Sequence, residues 1–161
     1  GSVNPWVYVT TKGGGVHRFE ETVDGISSAS TLTSPWNISS DVVYSVFVDK
    51  EAKVWYGTDR GAVKQGENPK DYEAFVNYGD VSIASDTVYS IGQDPDGNMW
   101  FGTHEGVSIF DGINWLHYTE TDGLVNNEVI SIAFEGTVAW LGTRAGISRF
   151  DGSSWEKFTS E

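Results

Sequence analysis

The sequence predicts an all-β protein built from repeated antiparallel sheets. Three observations indicate this fold class: short motifs that recur along the chain, apolar runs of strand length between turn residues, and no window with a clear helical period. Of the 161 residues, 39% are hydrophobic and 19 are glycines. This composition supports a packed core with many tight turns and argues against disorder.

Two motifs recur in the same order. The first is valine, any residue, serine, and then valine or isoleucine, and its copies begin at Val43, Val88 and Val129. The second is Trp-x-Gly-Thr, and its copies begin at Trp55, Trp100 and Trp140. Each copy of the second motif is followed, after two further residues, by a glycine and a small or branched apolar residue. Successive tryptophans are about 40 to 45 residues apart, so the chain consists of repeats of that length.

Each full repeat predicts four strands in order. The first strand contains the valine–serine motif, the second contains Trp-x-Gly-Thr, and the third begins at the glycine–apolar pair. The fourth contains an aromatic run, such as Trp115–Tyr118 or Trp155–Phe158. Turn residues separate them, as at Asp94–Asn98 and Asp111–Gly112. Runs such as Val42–Val48 are apolar on both faces, which indicates strands buried between stacked sheets.

A partial repeat opens the chain, because Trp6–Thr11 and the following Gly15-Val16 correspond to the second half of a unit. Four-stranded units of this length with a recurring tryptophan are typical of β-propeller blades, whose apolar faces are covered by neighbouring blades. We therefore predict one β-propeller domain with three full four-stranded antiparallel blades and one blade that lacks its first strand. The predicted units are approximately residues 3–34, 38–79, 83–120 and 124–161.

The second full repeat resembles the two-component regulator propeller repeats of bacterial sensors. The match is nearly complete from Val88 to Val107 and again over Leu124–Ile132, and the resemblance covers almost the whole chain from about Val7 onward. It implies a propeller fold and a bacterial sensory domain, periplasmic or extracellular, that detects carbohydrates or relays to a signalling partner.

The number of repeats leaves the arrangement of the blades open. Propellers of this family usually close with about seven blades, whereas this sequence contains three full repeats and one partial repeat. The chain is an excised part of a longer propeller, a distorted four-bladed ring, or one member of an assembly of copies. Exposed faces of the end blades would form large apolar patches, which soluble monomers rarely carry. We therefore expect a homo-oligomer, with a two-fold dimer as the favoured form.

Charge and residue types exclude several classes of function. The 23 acidic and 10 basic residues give a formal charge of −13, which repels phosphate backbones, so we expect no nucleic-acid partner. No apolar run approaches the roughly 20 residues of a membrane helix, so we expect no membrane insertion. The chain has no cysteine, and its three histidines lack the spacing of metal ligands. We therefore expect neither a cofactor nor a metal site.

The candidate ligand-binding residues lie in the loops between the second and third strands of the blades. The flanking threonines and glycines repeat while the loop tips differ, and variable tips on a repeated scaffold are suited to binding. The tips contain Lys12, Asp59, Arg60, His104, Glu105 and Arg144. Trp36, in a loop between blades, is a further candidate, since its ring suits either stacking on a sugar or covering a blade edge. Free drift of solvent-exposed turn residues would produce the same divergence.

These residues favour a non-enzymatic recognition module whose ligand is a glycan or a partner protein. Rigid blades that display variable tips lose little ordering entropy on binding. Two alternatives remain open. One is a carbohydrate-active lyase or hydrolase, for which Asp59 and Glu105 are the candidate carboxylate pair. The other is a structural or assembly role with the end blades as the interface.

Other recurring residues are assigned structural roles. Asp41, Asp86 and Asn127 stand at equivalent positions just before the first strands, where a side-chain hydrogen bond would end the turn. Asp94 and Asp96 are interpreted as turn residues, because their spacing stops short of a calcium loop. The tryptophans that recur in register are predicted to belong to the core, and they are Trp55, Trp100, Trp115, Trp140 and Trp155.

Overall fold

A computed structural model describes residues 6–22, 25–34, 38–66, 71–79 and 81–159. Within these ranges the chain forms fifteen β-strands and no helix, and therefore no helix able to cross a membrane. The strands make four antiparallel sheets that follow one another along the chain. Three sheets have four strands and the first has three. The predicted all-β fold, with an incomplete first unit, is confirmed.

Each sheet is a meander in which every strand pairs with the next one in the sequence. Sheet I contains β1 (Trp6–Thr10), β2 (Val16–Thr22) and β3 (Gly25–Leu32). Sheet II contains β4 (Val43–Val48), β5 (Val54–Thr58), β6 (Gly61–Gln65) and β7 (Tyr72–Phe75). Sheet III contains β8 (Val88–Gln93), β9 (Met99–Thr103), β10 (Gly106–Phe110) and β11 (Trp115–Tyr118). Sheet IV contains β12 (Val129–Glu135), β13 (Val138–Thr143), β14 (Gly146–Phe150) and β15 (Trp155–Phe158).

The core consists of three apolar layers, each between two successive sheets. Each layer includes one fully buried residue from the connector between the sheets, and these are Ile38, Ile83 and Leu124. Trp55 and Trp100 are buried in the layer that their own sheet shares with the next one. Trp115 and Trp155 pack against the layers and are partly buried. Trp140 differs: it is half-buried, because no described sheet follows sheet IV.

A carboxylate in the turn after the first strand anchors the tryptophan of the second strand. The Trp55 indole donates to Asp49 over 2.8 Å, and the Trp100 indole donates to Asp94 over 3.0 Å. Asp94 also accepts the backbone N–H of Asn98 at 2.9 Å. The interpretation of Asp94 as a turn residue is therefore confirmed, and the turn is coupled to the core through the indole.

The described residues form an open arc of sheets. Apolar layers join sheets I and II, II and III, and III and IV, but none of the described core layers joins sheet IV back to sheet I. The outer faces of the two end sheets consequently expose large apolar side chains, among them Val9 and Ile147. The distorted four-bladed ring considered above is therefore not the arrangement of this part of the chain.

Candidate functional site

The turns between β1 and β2, β5 and β6, β9 and β10, and β13 and β14 line one edge of the arc, which we call the turn face. Three of these turns are tied to the connector that leads into the next sheet. The bonds run from the N–H groups of Gly15, Gly61 and Gly106 to the carbonyls of Asp41, Asp86 and Asn127. The turns and connectors therefore share one face and form a fixed surface.

The recurring threonine sets the shape of each turn. The Thr58 hydroxyl donates to the carbonyl of Gly61 at 2.8 Å and accepts the N–H of Arg60 at 2.9 Å. Equivalent pairs of bonds recur at Thr11, Thr103 and Thr143. Gly61 closes the turn with φ of 95°, a conformation that favours glycine. The residues between threonine and glycine are thus displayed on a rigid frame.

Side chains just before the first strands fix the connectors. Asp41 and Asp86 accept the backbone N–H groups of Ser34 and Asn77 at 2.7 and 2.6 Å. Asn127 accepts the N–H of Glu120 at 2.7 Å in the same way. The predicted role of these three side chains in ending the turns is confirmed.

The structure places six of the seven candidate residues on the turn face, in two kinds of position. Lys12, Asp59, His104 and Arg144 directly follow the threonine, whereas Arg60 and Glu105 come one residue later. The backbone N–H groups of Asp59, His104 and Arg144 donate to the residues that precede the first strand of their own sheets. The first position therefore lies beside the first strand, and the second position is exposed. The seventh candidate, Trp36, lies outside the described residues.

An ion pair joins the β13–β14 turn to the residue that precedes β12. The distance from Arg144 Nε to Glu128 Oε2 is 2.5 Å. The side chain of Tyr89, from sheet III, interacts with the same carboxylate. The Glu128 side chain is only 17% exposed, whereas that of Arg144 is 65% exposed. Tyr89, Glu128 and Arg144, which we call the Arg144 cluster, thus bridge sheets III and IV and hold a guanidinium at the surface.

The contacts within the Arg144 cluster fix its protonation states. The hydrogen bond from Arg144 lowers the pKa of Glu128, and His104 contributes to the same shift through its charge. Burial raises the pKa of Tyr89, and the hydrogen bond to Glu128 raises it further. At neutral pH Glu128 is therefore ionised, while Tyr89 keeps its proton.

The first strands of sheets II and III, β4 and β8, each contain a β-bulge, and one residue of each bulge has no pairing partner in the neighbouring strand. The pairing of β8 with β9 shifts between Val88 and Ser90, so Tyr89 has no partner in the ladder, and Tyr44 lies in an equivalent bulge of β4. The Tyr44 ring packs edge-on against Tyr89 with centroids 5.2 Å apart and is 37% exposed. An aromatic surface therefore continues from the Arg144 cluster onto sheet II.

Sequence reasoning selected Arg144 and His104 but missed Glu128, Tyr89 and Tyr44. The two tyrosines occupy the variable position of the valine–serine motif, where sheet IV has Ile130. The signal that could have found them was this variability within an otherwise repeated motif.

The turn face offers less support for a catalytic carboxylate pair or a metal site. Asp59 and Glu105 belong to neighbouring sheets but occupy the first and second positions of their turns, so they are not equivalent. In the part of the chain that the structure describes, no group of three or more His, Asp or Glu residues is arranged to hold a metal ion. The donors, the ionised pair and the aromatic surface of the turn face are instead suited to binding a polar ligand.

The Arg144–Glu128 pair predicts a measurable titration. Because the pKa of Glu128 is lowered, the pair is complete above the ordinary pKa of a glutamate and is lost as the pH falls through the lowered value. We expect the Glu128 carboxyl in Arg144→Gln to titrate at a higher pH than in the parent chain, as followed by NMR of the side-chain carboxyl carbon. Lys157→Gln, on β15, serves as the control and should leave this titration in place. Identical Glu128 titrations in the parent chain and Arg144→Gln would contradict the geometry.

Comparison with protein families supports the resemblance seen in the sequence. Residues 82–105 match the family model described as two component regulator propeller. A comparison with curated proteins finds no match by sequence.

Several solved structures share the fold over almost the whole chain. One is the extracellular domain of a protein described as a hybrid two component system from B. thetaiotaomicron, with a TM-score of 0.78, 17% identity and 96% of this chain covered. Another is PorZ, a surface component of the type-IX secretion system of Porphyromonas gingivalis, with a TM-score of 0.70, 19% identity and 91% coverage. A third is virginiamycin B lyase from Staphylococcus aureus, with a TM-score of 0.62, 15% identity and 97% coverage.

The chain is shorter than each of these proteins. It spans 23% of the sensor domain, 24% of PorZ and 55% of the lyase. At such low identities the likeness establishes the fold alone, and these proteins differ widely in what they do. The chain has a β-propeller fold, and its residues 82–105 match the family model described as two component regulator propeller.

Proposed function

We propose that the chain is a non-enzymatic binding module of a bacterial sensory or surface protein and that it recognises a glycan through the turn face. The observation that carries the proposal is the Arg144 cluster, in which a solvent-facing guanidinium is held by a shielded, ionised Glu128 and by Tyr89. An arginine that is already fixed loses little conformational entropy when it binds a ligand.

The chemistry of the surroundings favours a sugar. Arg144 offers several N–H donors, His104 is exposed on the neighbouring turn, and the half-exposed Tyr44 ring provides an apolar surface. Sugars present hydroxyl groups at their edges and C–H groups on their faces, and such a surface complements both. A docked protein segment is the other ligand class that this surface fits, and the experiment below separates the two.

The structural likeness to an extracellular sensor domain supports the setting of this proposal. That domain belongs to a protein described as a two component system, and the likeness covers nearly all of this chain. A glycan-binding role places the chain in the periplasm or outside the cell, where such ligands are met. The fold, the matched repeat and the Arg144 cluster therefore all support the same proposed function.

We expect glycans that bind on an array to raise the melting temperature of the parent chain and to lose affinity for Arg144→Ala by about 10- to 100-fold. The expected loss corresponds to one hydrogen bond made by a charged group, at about 1.5–3 kcal/mol. Isothermal calorimetry measures the affinities. His104→Ala should weaken binding in the same direction, because it lies on the adjoining turn.

Lys157→Ala is the matched control, because it removes one cation from an exposed site on β15 without touching the turn face. Its affinity should equal that of the parent chain. Equal losses in Arg144→Ala and Lys157→Ala would show that net charge, not the Arg144 cluster, governs binding. Failure of any glycan to bind, together with capture of a peptide by the parent chain, would favour the protein ligand instead.

A further inference from the structure

The outer face of sheet I exposes positions that are buried in every other sheet. Val9 lies two residues before the threonine of its turn, and its counterparts in the later sheets are all fully buried; they are Tyr56, Phe101 and Leu141. Val9 itself is 47% exposed, and Val7 beside it is 46% exposed. This face therefore has the same composition as the faces that a preceding sheet covers in sheets II to IV.

The outer face of sheet IV shows the complementary pattern. Ile147 directly follows the glycine of its turn, and its counterparts in sheets I to III are fully buried; they are Val16, Ala62 and Val107. Ile147 is 45% exposed, and its cross-strand neighbour Phe158 is 46% exposed. Trp140 on the same face is half-buried, whereas Trp55 and Trp100 are buried by the following sheet. This face therefore has the composition of a sheet that precedes another.

We propose that the two end faces bind each other between two copies of this chain. Sheet IV of each copy packs on sheet I of the other, so that two identical contacts close a ring with a two-fold axis. The contact continues the packing already made three times within the chain, in which the following sheet covers the glycine–apolar position and a second-strand aromatic residue, which is Tyr8, Trp55 or Trp100. A contact between two different faces closes into a ring when the rotation between copies allows it.

The charged residues on the two faces are compatible with this contact. On sheet IV the Arg149 guanidinium lies 5.7 Å from the Trp140 ring and pairs with Glu156 at 3.5 Å. Lys64 lies over Trp55 in the same place on sheet II, 5.3 Å from the ring, beside the internal layer between sheets II and III. A cation stacked on the tryptophan is thus already tolerated beside one of the internal contacts.

The contact between copies is expected to be weaker than the internal ones. Sheet I has three described strands, and the side chains that β8 and β12 contribute to the internal layers, such as Val88 and Val129, have no described counterpart there. The covalent connector is also absent between copies. The dimer should therefore form and dissociate with protein concentration.

Sedimentation equilibrium of the 161-residue chain tests the proposal. We expect a reversible equilibrium between the chain and a species of twice its mass, reached within the micromolar range. Val9→Asp and Ile147→Lys should each shift the midpoint at least tenfold to higher concentration, because each places a charge in both contacts of the ring. Ile113→Lys is the control, since Ile113 is 85% exposed in the β10–β11 turn, and it should associate like the parent chain.

A mixture of the two variants distinguishes the head-to-tail ring from other dimers. The mixed ring has one contact with the parent residues on both sides and one in which the introduced lysine faces the introduced aspartate. An equimolar mixture of Val9→Asp and Ile147→Lys should therefore recover association. Circular dichroism melts confirm that each variant is folded. A monomer at all concentrations, open polymers of increasing mass, sensitivity to only one of the substitutions, or a mixture that stays monomeric would each overturn the proposal.

Discussion

Replacement of Trp100 by alanine is expected to lower the free energy of unfolding by about 3–5 kcal/mol, the usual cost of removing a buried tryptophan. The side chain is only 5% exposed and packs edge-on against Phe134 with ring centroids 5.5 Å apart. Its indole N–H donates to Asp94 at 3.0 Å, so the substitution also removes a donor from a buried carboxylate. Urea denaturation followed by circular dichroism measures the loss.

Trp140→Ala is the matched control for this experiment. Trp140 occupies the same motif position in sheet IV, but it is half-buried because no described sheet covers it. At a concentration where the chain is monomeric, the loss for Trp140→Ala should be less than half of the loss for Trp100→Ala. Equal losses would mean that burial by the following sheet does not account for the recurring tryptophan.

The fold could be predicted because the interactions that define each repeat are made within short segments of the sequence. The threonine of Trp-x-Gly-Thr bonds to a glycine three residues later, and that glycine opens the third strand. These bonds are local, so they recur with the motif and can be recognised from one sequence. That the described part of sheet I begins with the counterpart of the second strand was visible for the same reason, since no valine–serine motif precedes Trp6.

The Arg144 cluster could be predicted only in part because Tyr89 comes from a different repeat from Glu128 and Arg144. Arg144 was selected as a variable turn residue, but its partner Glu128 precedes β12 and Tyr89 belongs to sheet III. No spacing in the sequence indicates that these three side chains meet. The contact of Tyr89 with the other two side chains depends on how sheet III stacks on sheet IV and on the bulge that frees Tyr89 from the ladder.

The same dependence on stacking explains the difference between two identical motifs. Trp100 and Trp140 are indistinguishable in the sequence pattern, yet one is buried and the other is half-buried. Each Trp-x-Gly-Thr motif predicts a tryptophan that the following sheet buries. The position of the repeat in the arc determines whether a following sheet is present. The exposed faces of the end sheets were expected from the sequence, whereas the prediction that Trp140 belongs to the core fails because no described sheet covers it.

Gly102 provides the second large effect, and Gly102→Ala is expected to lower the free energy of unfolding by about 2–3 kcal/mol, near the upper end of the cost of overpacking a core. A Cβ at Gly102 would lie 2.7 Å from the carbonyl oxygen of Val129, the first residue of β12 in the next sheet. Backbone cannot rotate away as a side chain does, so sheet IV would have to move from sheet III. Thermal and urea unfolding both report this loss.

Gly142→Ala tests whether close approach of the next sheet is the cause. Gly142 occupies the same place in Trp-x-Gly-Thr, but a Cβ there would meet only the side chain of Ser131, whose hydroxyl can turn toward solvent. The loss should be below about 1 kcal/mol, since alanine also restricts the unfolded chain more than glycine does. If Gly142→Ala were as destabilising as Gly102→Ala, the glycine would be needed for the strand itself. The expected difference between the variants instead assigns it to the narrow space between stacked sheets, which only an interior repeat experiences.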